Sequence, residues 1–187
     1  MLLFILPCLV DLASAGGSQP EPPYGFGNAT WEDLLSALGT KDEIWLTKSG
    51  YSWNLLKCMY WLKDGISDNE YTFRFRYRID KQRKEIPEVA TLQKGSKGPI
   101  MKIRYRSERE SQATAFTLTY WSNDEKCFIL TKNDGSCEQH VWKPHIGKTK
   151  FCDKAFDVCA KYRYHVYSDT CINPKSLCIG LKSDCIH

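Results

Sequence analysis

The sequence predicts an all-β domain of eight short antiparallel strands, a closed meander or a two-sheet sandwich, with one short helix before the strands and one after. Three observations predict it. Apolar and charged residues alternate with period two through the middle of the chain. Turn-forming residues punctuate that alternation at short intervals. The stretches with helical periodicity lie only on its flanks.

Residues 1–15 stand apart. Leu2 to Val10 is almost wholly apolar, and Ala13-Ser14-Ala15 places small residues where a signal peptidase reads, so a secretory signal is expected over 1–15. Gly16 to Pro20 opens a flexible lead over 16–29. The apolar run is too short to span a bilayer, and no later run reaches about 18 apolar residues. The expectation is a soluble, exported, extracellular protein with no membrane partner. Removal of the signal leaves 172 residues, enough for one core, with a net charge of +5 once Asp11 is gone. That excess is too small to argue for nucleic acid. Asn28-Ala29-Thr30 is an acceptor for N-glycosylation at Asn28.

The main domain is expected over 30–171. Thr30 caps a helix, with Asp33 in the capping-box position. Trp31, Leu34, Leu35 and Leu38 form one apolar stripe, and Gly39 ends the helix. Strands follow near 44–51, 57–62, 71–79, 87–93, 99–106, 114–121, 127–131 and 137–142. The third is the sharpest: Phe73, Phe75, Tyr77 and Ile79 alternate with Arg74, Arg76 and Arg78, one face for a core and one for water. Ile103 and Tyr105 against Lys102, Arg104 and Arg106 repeat the pattern. These basic residues read as a solvated outer face balanced by nearby acids, or as a positive patch for a polyanion. A second helix is expected near 153–161 with Cys152, Phe156 and Cys159 on one face, then a strand near 163–168 and a cysteine-bearing tail over 172–187.

Eight cysteines remain after the signal: Cys58, Cys127, Cys137, Cys152, Cys159, Cys171, Cys178 and Cys185. An even number in an exported chain implies disulfides, and no Cys-x-x-Cys pair suits zinc. Catalytic signatures are absent: no nucleophile elbow, no His-Glu-x-x-His, no phosphate loop. His140 and His145 are badly spaced for a shared metal. No enzyme activity, cofactor or metal site is expected.

The informative residues lie inside. Tyr51, Phe73, Phe75, Tyr77, Tyr105, Phe116, Tyr120, Glu138, His140 and Trp142 share the inward phase by the period-two reading. Glu138 is the singular one, because an unpaired carboxylate in an aromatic interior is costly and needs a cation. The strand arginines face outward in this reading, so a ligand ammonium is one candidate, with cation–π help from the aromatics. The other reading takes Glu138 to the rim, or to a pair with Lys57, Lys126 or Lys143.

Several stretches, taken together, resemble the tick salivary lipocalins of the histamine-binding protein family. They are Trp31-Glu32-Asp33-Leu34-Leu35, Lys57-Cys58, Phe116 to Tyr120 running into Glu125-Lys126-Cys127, Gly135-Ser136-Cys137-Glu138, Phe151-Cys152 with Phe156 and Cys159, and Tyr167 to Cys171. The resemblance implies an eight-stranded lipocalin-type barrel with the C-terminal helix packed outside. It implies the pairs Cys58–Cys171, Cys127–Cys152 and Cys137–Cys159, leaving Cys178–Cys185. It also implies a secreted monomer in tick saliva that holds a small amine, histamine or serotonin, and so counters host inflammation. Glu138 matches the family's pocket acid, Tyr51 its pocket tyrosine, and Tyr105 and Phe116 two further aromatics. His140 stands where a tryptophan is usual, with Trp142 one inward step on. The segment from Tyr51 to Cys58 is short and lacks the acid found there in histamine binders, and Pro87 disturbs the register around Glu85 and Glu88, which speaks against a second amine site. Two rivals are a binder of an anionic lipid such as a leukotriene, which needs inward Arg or Lys, and an inhibitor whose outer surface binds a host protein of complement or clotting.

Overall fold

The computed structural model describes residues 21–173 except Lys81. The expected signal, the first five residues of the lead (16–20) and the expected Cys178–Cys185 pair lie outside the described residues.

Helix α1 (Trp31–Leu38) is followed by eight strands: β1 (Ile44–Ser49), β2 (Lys57–Ile66), β3 (Glu70–Ile79), β4 (Gln82–Gln93), β5 (Ile100–Tyr105), β6 (Thr114–Ser122), β7 (Cys127–Lys132) and β8 (Cys137–Trp142). Each strand pairs antiparallel with the next, and β1 pairs with both β8 and β2, so the sheet closes into a barrel and leaves no free edge. Helix α2 (Lys150–Cys159) and the two-residue strand β9 (Tyr164–His165) follow, with β9 beside the end of β1.

The elements begin and end for local reasons. Thr30 Oγ1 accepts from Asp33 N at 3.2 Å, and Asp33 Oδ2 accepts from Thr30 N at 2.8 Å, completing the capping box. Gly39 closes α1 with an ordinary φ of −69°; its lack of a side chain matters because a Cβ would stand 2.9 Å from the Leu35 carbonyl oxygen. Arg74 and Arg76 lie on the outer face, where Asp64 and Glu85 pair with them, as expected of a solvated side.

Several boundaries moved: β2 runs on to Ile66 rather than ending near 62, and β9 is two residues rather than a strand near 163–168. Strand β4 starts at Gln82 rather than 87, because β3 and β4 pair without a slip from Ile79↔Gln82 through Arg74↔Pro87 to Glu70↔Thr91. Helix α2 starts at Lys150 rather than 153. Its first free amides, Phe151 N and Cys152 N, donate to the Glu125 carboxylate at 2.9 Å each, a cap supplied from the β6–β7 turn.

Every residue of β8 from Cys137 to Val141 is buried, since both faces are covered. Glu138 and His140 face the interior. Cys137, Gln139 and Val141 lie under α2, which is tied on by Cys127–Cys152 and Cys137–Cys159 and packs Ala155 and Phe156 against Ile129. A third disulfide, Cys58–Cys171, joins the start of β2 to the segment after β9.

The barrel interior has two halves. At the end plugged by α1, the fully buried Tyr71, Phe73, Met59, Met101, Leu118 and Phe128 form a continuous core with Leu34, Ala37 and Leu38 of the helix. At the other end the strands surround a cavity.

Candidate ligand pocket

The cavity, about 400 Å³, lies at the end where β1, β3, β5 and β7 finish and β4, β6 and β8 begin. That volume suits one compact ligand. Its walls include Tyr51, Trp53, Trp61, Phe75 and Phe116, and its polar groups include Glu88, Arg104, Glu108, Lys132, Glu138 and His140.

Glu138 is 2 % exposed and points inward. It is held by two neighbours. The Tyr51 hydroxyl donates to Oε1 in a short hydrogen bond, and His140 Nε2 stands 3.0 Å from Oε2. Burial beside this carboxylate pushes the Tyr51 phenol far above its ordinary range, so Tyr51 is a donor at any working pH. His140, 1 % exposed, packs against both Trp61 and Phe128, with ring centroids 4.3 and 5.1 Å away. Lys57, Lys126 and Lys143 are not partners of Glu138: Lys126 lies over the rings of Trp121 and Trp142, and Lys143 pairs with Glu43.

Of the expected inward residues, Tyr51, Phe75, Tyr105, Phe116, Glu138 and His140 all line the cavity, Tyr105 at its open mouth. Trp142 keeps the inward phase but stands at the plugged end, where its Nε1 donates to Ala37 O at 3.0 Å. Phe73 is part of the filled core, and Tyr77 packs beside Phe75. Tyr120 faces the other way, toward the cluster under α2. A register shift between Leu118 and Tyr120 in the β6–β7 ladder inserts one residue and inverts the phase beyond it.

Four of the pocket residues that escaped the period-two reading bear on its chemistry. Glu88, 8 % exposed, faces inward opposite Phe73 and Tyr105, because the ladder passes through Pro87 without losing register. Burial, with Glu138 adding to it, pushes its carboxyl up to about 8. Lys132 continues the inward phase of Phe128 and Leu130; an expected strand end at 131 hid it. Arg104 was expected outside, yet it lines the cavity. Strand β5 ends just after it, and its Nη1 donates to the carbonyls of Tyr105, Arg106 and Glu108, holding the turn at the mouth. Trp53 comes from the β1–β2 loop, where strand periodicity is silent, and packs near Tyr51 and Phe75.

Among the described residues, the group best spaced for a metal is Glu125 with Cys127 and Cys152, but both sulfurs are committed to one disulfide and the carboxylate caps α2. No helix among the described residues is long and apolar enough to cross a membrane.

A closed eight-stranded antiparallel barrel, plugged by a helix at one end, hollow at the other and flanked by a helix outside, is a lipocalin-type fold. The chain belongs to the tick histamine binding protein family, whose model matches residues 30–173. Among solved structures, the AM182 serotonin complex superposes with a TM-score of 0.58 at 15% identity, covering 74% of this chain and 91% of that one. Lobster apocrustacyanin A1 gives 0.42 at 10% identity, covering 79% and 94%, and apocrustacyanin C2 gives 0.44 at 8%, covering 80% and 95%. No curated protein sequence matches the chain.

Proposed function

We propose that this protein is a secreted carrier that sequesters a small aromatic amine, histamine or serotonin, in the open half of its barrel. The observation that carries this reading is the inward Glu138 carboxylate, buried among aromatic rings and held by Tyr51 and His140. A carboxylate in such surroundings gains from a ligand ammonium, and ring faces on Tyr51, Trp53 and Phe116 add cation–π and stacking contacts. Glu88 supplies a second acid across the same cavity. The family to which the chain belongs and the serotonin complex among its structural neighbours support the choice of amine. Such a protein acts by stoichiometric capture, exported as a glycosylated monomer at Asn28, and lowers free amine at a feeding site. Neither the family nor the pocket calls for catalysis.

A second reading has one observation in its favour. Lys132 and Arg104 place cations at the cavity, which suits the anionic headgroup of a lipid mediator. Against it, the buried Glu138 carboxylate shares the same volume and repels an anion, and Glu88 adds to the repulsion once it is ionised. Isothermal titration of the disulfide-bonded protein with histamine, serotonin and leukotriene decides between them. One-to-one amine binding, weakened in Glu138→Gln, supports the amine carrier. Heat with the leukotriene alone would replace it by the lipid reading.

A further inference from the structure

We propose that the ammonium of Lys132 is a built-in occupant of the ligand's cation seat, and that an amine enters the pocket by displacing it toward Asp134 at the mouth. This inference rests on the amine reading and deepens it: the pocket exchanges one primary ammonium for another.

The geometry points to a shared seat. Lys132 is the last residue of β7, in the inward phase of Phe128 and Leu130 and directly opposite Phe116. Its Nζ stands 3.4 Å from the centroid of the Tyr51 ring and 5.5 Å from that of Phe116. The hydroxyl of that same Tyr51 donates to Glu138. A ring face bonded to a carboxylate is the environment that an incoming ammonium requires, and the protein's own ammonium lies on it.

Two carboxylates act on Lys132 from opposite sides. Burial lowers the affinity of its amine for a proton, while Glu138 inside and Asp134 outside both favour the charged form. Asp134 is exposed in the β7–β8 turn, fixed by Ser136 N at 2.9 Å and Ser136 Oγ at 2.6 Å. A lysine stem is long and flexible, so a swing from ring to turn carboxylate needs no backbone movement. The exchange keeps a cation near Glu138 in both states, which answers the cost of a buried carboxylate in the empty barrel. It also sets a threshold. A bare ammonium ion gains only the seat that Lys132 gives up, whereas an amine that carries an aromatic ring also fills the cavity.

The test has a ligand-free arm and a binding arm. In proton NMR of the disulfide-bonded protein, the ε-methylene of Lys132 should be shifted upfield by the Tyr51 ring. The shift should vanish in Tyr51→Leu and on addition of serotonin. In titrations, Lys132→Met should bind serotonin about 2- to 30-fold tighter, the span of a cation–π contact. Asp134→Asn, a surface change with little risk to folding, should bind about twofold weaker. An ε-methylene at the position of a solvated lysine in the free protein overturns the proposal, as does unchanged or weaker binding by Lys132→Met. If wild type binds amine through Glu138 and Lys132→Met does not differ, only the exchange falls. If neither protein binds amine, the amine reading falls and the exchange with it.

Discussion

The two ends of the barrel are made by the same strands in the same inward phase, yet they are filled in opposite ways. At the plugged end, Tyr71, Phe73, Met101 and Phe128 are fully buried and α1 adds Leu34 and Leu38 beneath them. At the open end, the corresponding positions one or two steps along each strand are Glu88, Lys132, Glu138 and His140. The change occurs within single strands: β8 runs from Glu138 through His140 to Trp142, and β7 from Lys132 through Leu130 to Phe128. Burial of large apolar side chains stabilises a fold by about 1.5–3 kcal/mol each, whereas buried ionisable groups cost unless they are paired. The plugged end therefore carries stability that the open end does not have to supply, and the open end is free to hold charges arranged for a ligand.

That division can be broken from either side. The largest effect is expected at the plugged end. Phe73→Ala should cost about 3–5 kcal/mol of stability in chemical denaturation with the disulfides intact, through the cavity it leaves against Trp61 and Tyr71. Glu138→Gln should do the reverse. Its stability should stay within about 1 kcal/mol of wild type, because an amide still accepts from Tyr51, while amine affinity falls by about 30-fold or more. A variant of Glu138 that unfolds the barrel would show that the carboxylate is structural.

The third prediction concerns pH. The folded Glu88 carboxyl titrates near 8, against 4.5 for the unfolded group. Between these values the folded state holds a proton that the unfolded chain has released, so stability falls as pH rises through this window and levels off above it. Denaturation midpoints measured across the window should show this slope, and Glu88→Gln should flatten it. An amine bound near Glu88 favours its ionised form, so binding at neutral pH should release a proton, visible as a dependence of the titration heat on buffer. The smallest effect lies outside both ends: Glu125→Ala should cost about 1 kcal/mol by uncapping α2, with amine affinity unchanged.

The same contrast explains what the sequence made legible. The closed end and the barrel walls follow from alternation, which records one apolar face repeated over many strands, and the capping box of α1 is local. Glu138 and His140 were legible because β8 is regular. Residues at strand ends and irregularities were not. Lys132 lies one residue past an expected end, Trp53 lies in a loop, and Arg104 folds back over a turn. Tyr120 faces outward because of a bulge that leaves no mark in the alternation itself. The Glu125 cap joins groups 26 and 27 residues apart, beyond any local pattern. The three disulfides agree with the pairing that the family resemblance implied, a matter that spacing alone leaves open among 105 arrangements for eight cysteines.

The most direct test of the amine pocket is a crystal structure of the disulfide-bonded protein with serotonin. The account predicts the ligand in the open half of the barrel, its ammonium within salt-bridge distance of Glu138 and its ring against Tyr51, with Lys132 turned toward Asp134. Serotonin bound on the outer surface, or held inside with its ammonium directed away from Glu138, would contradict it.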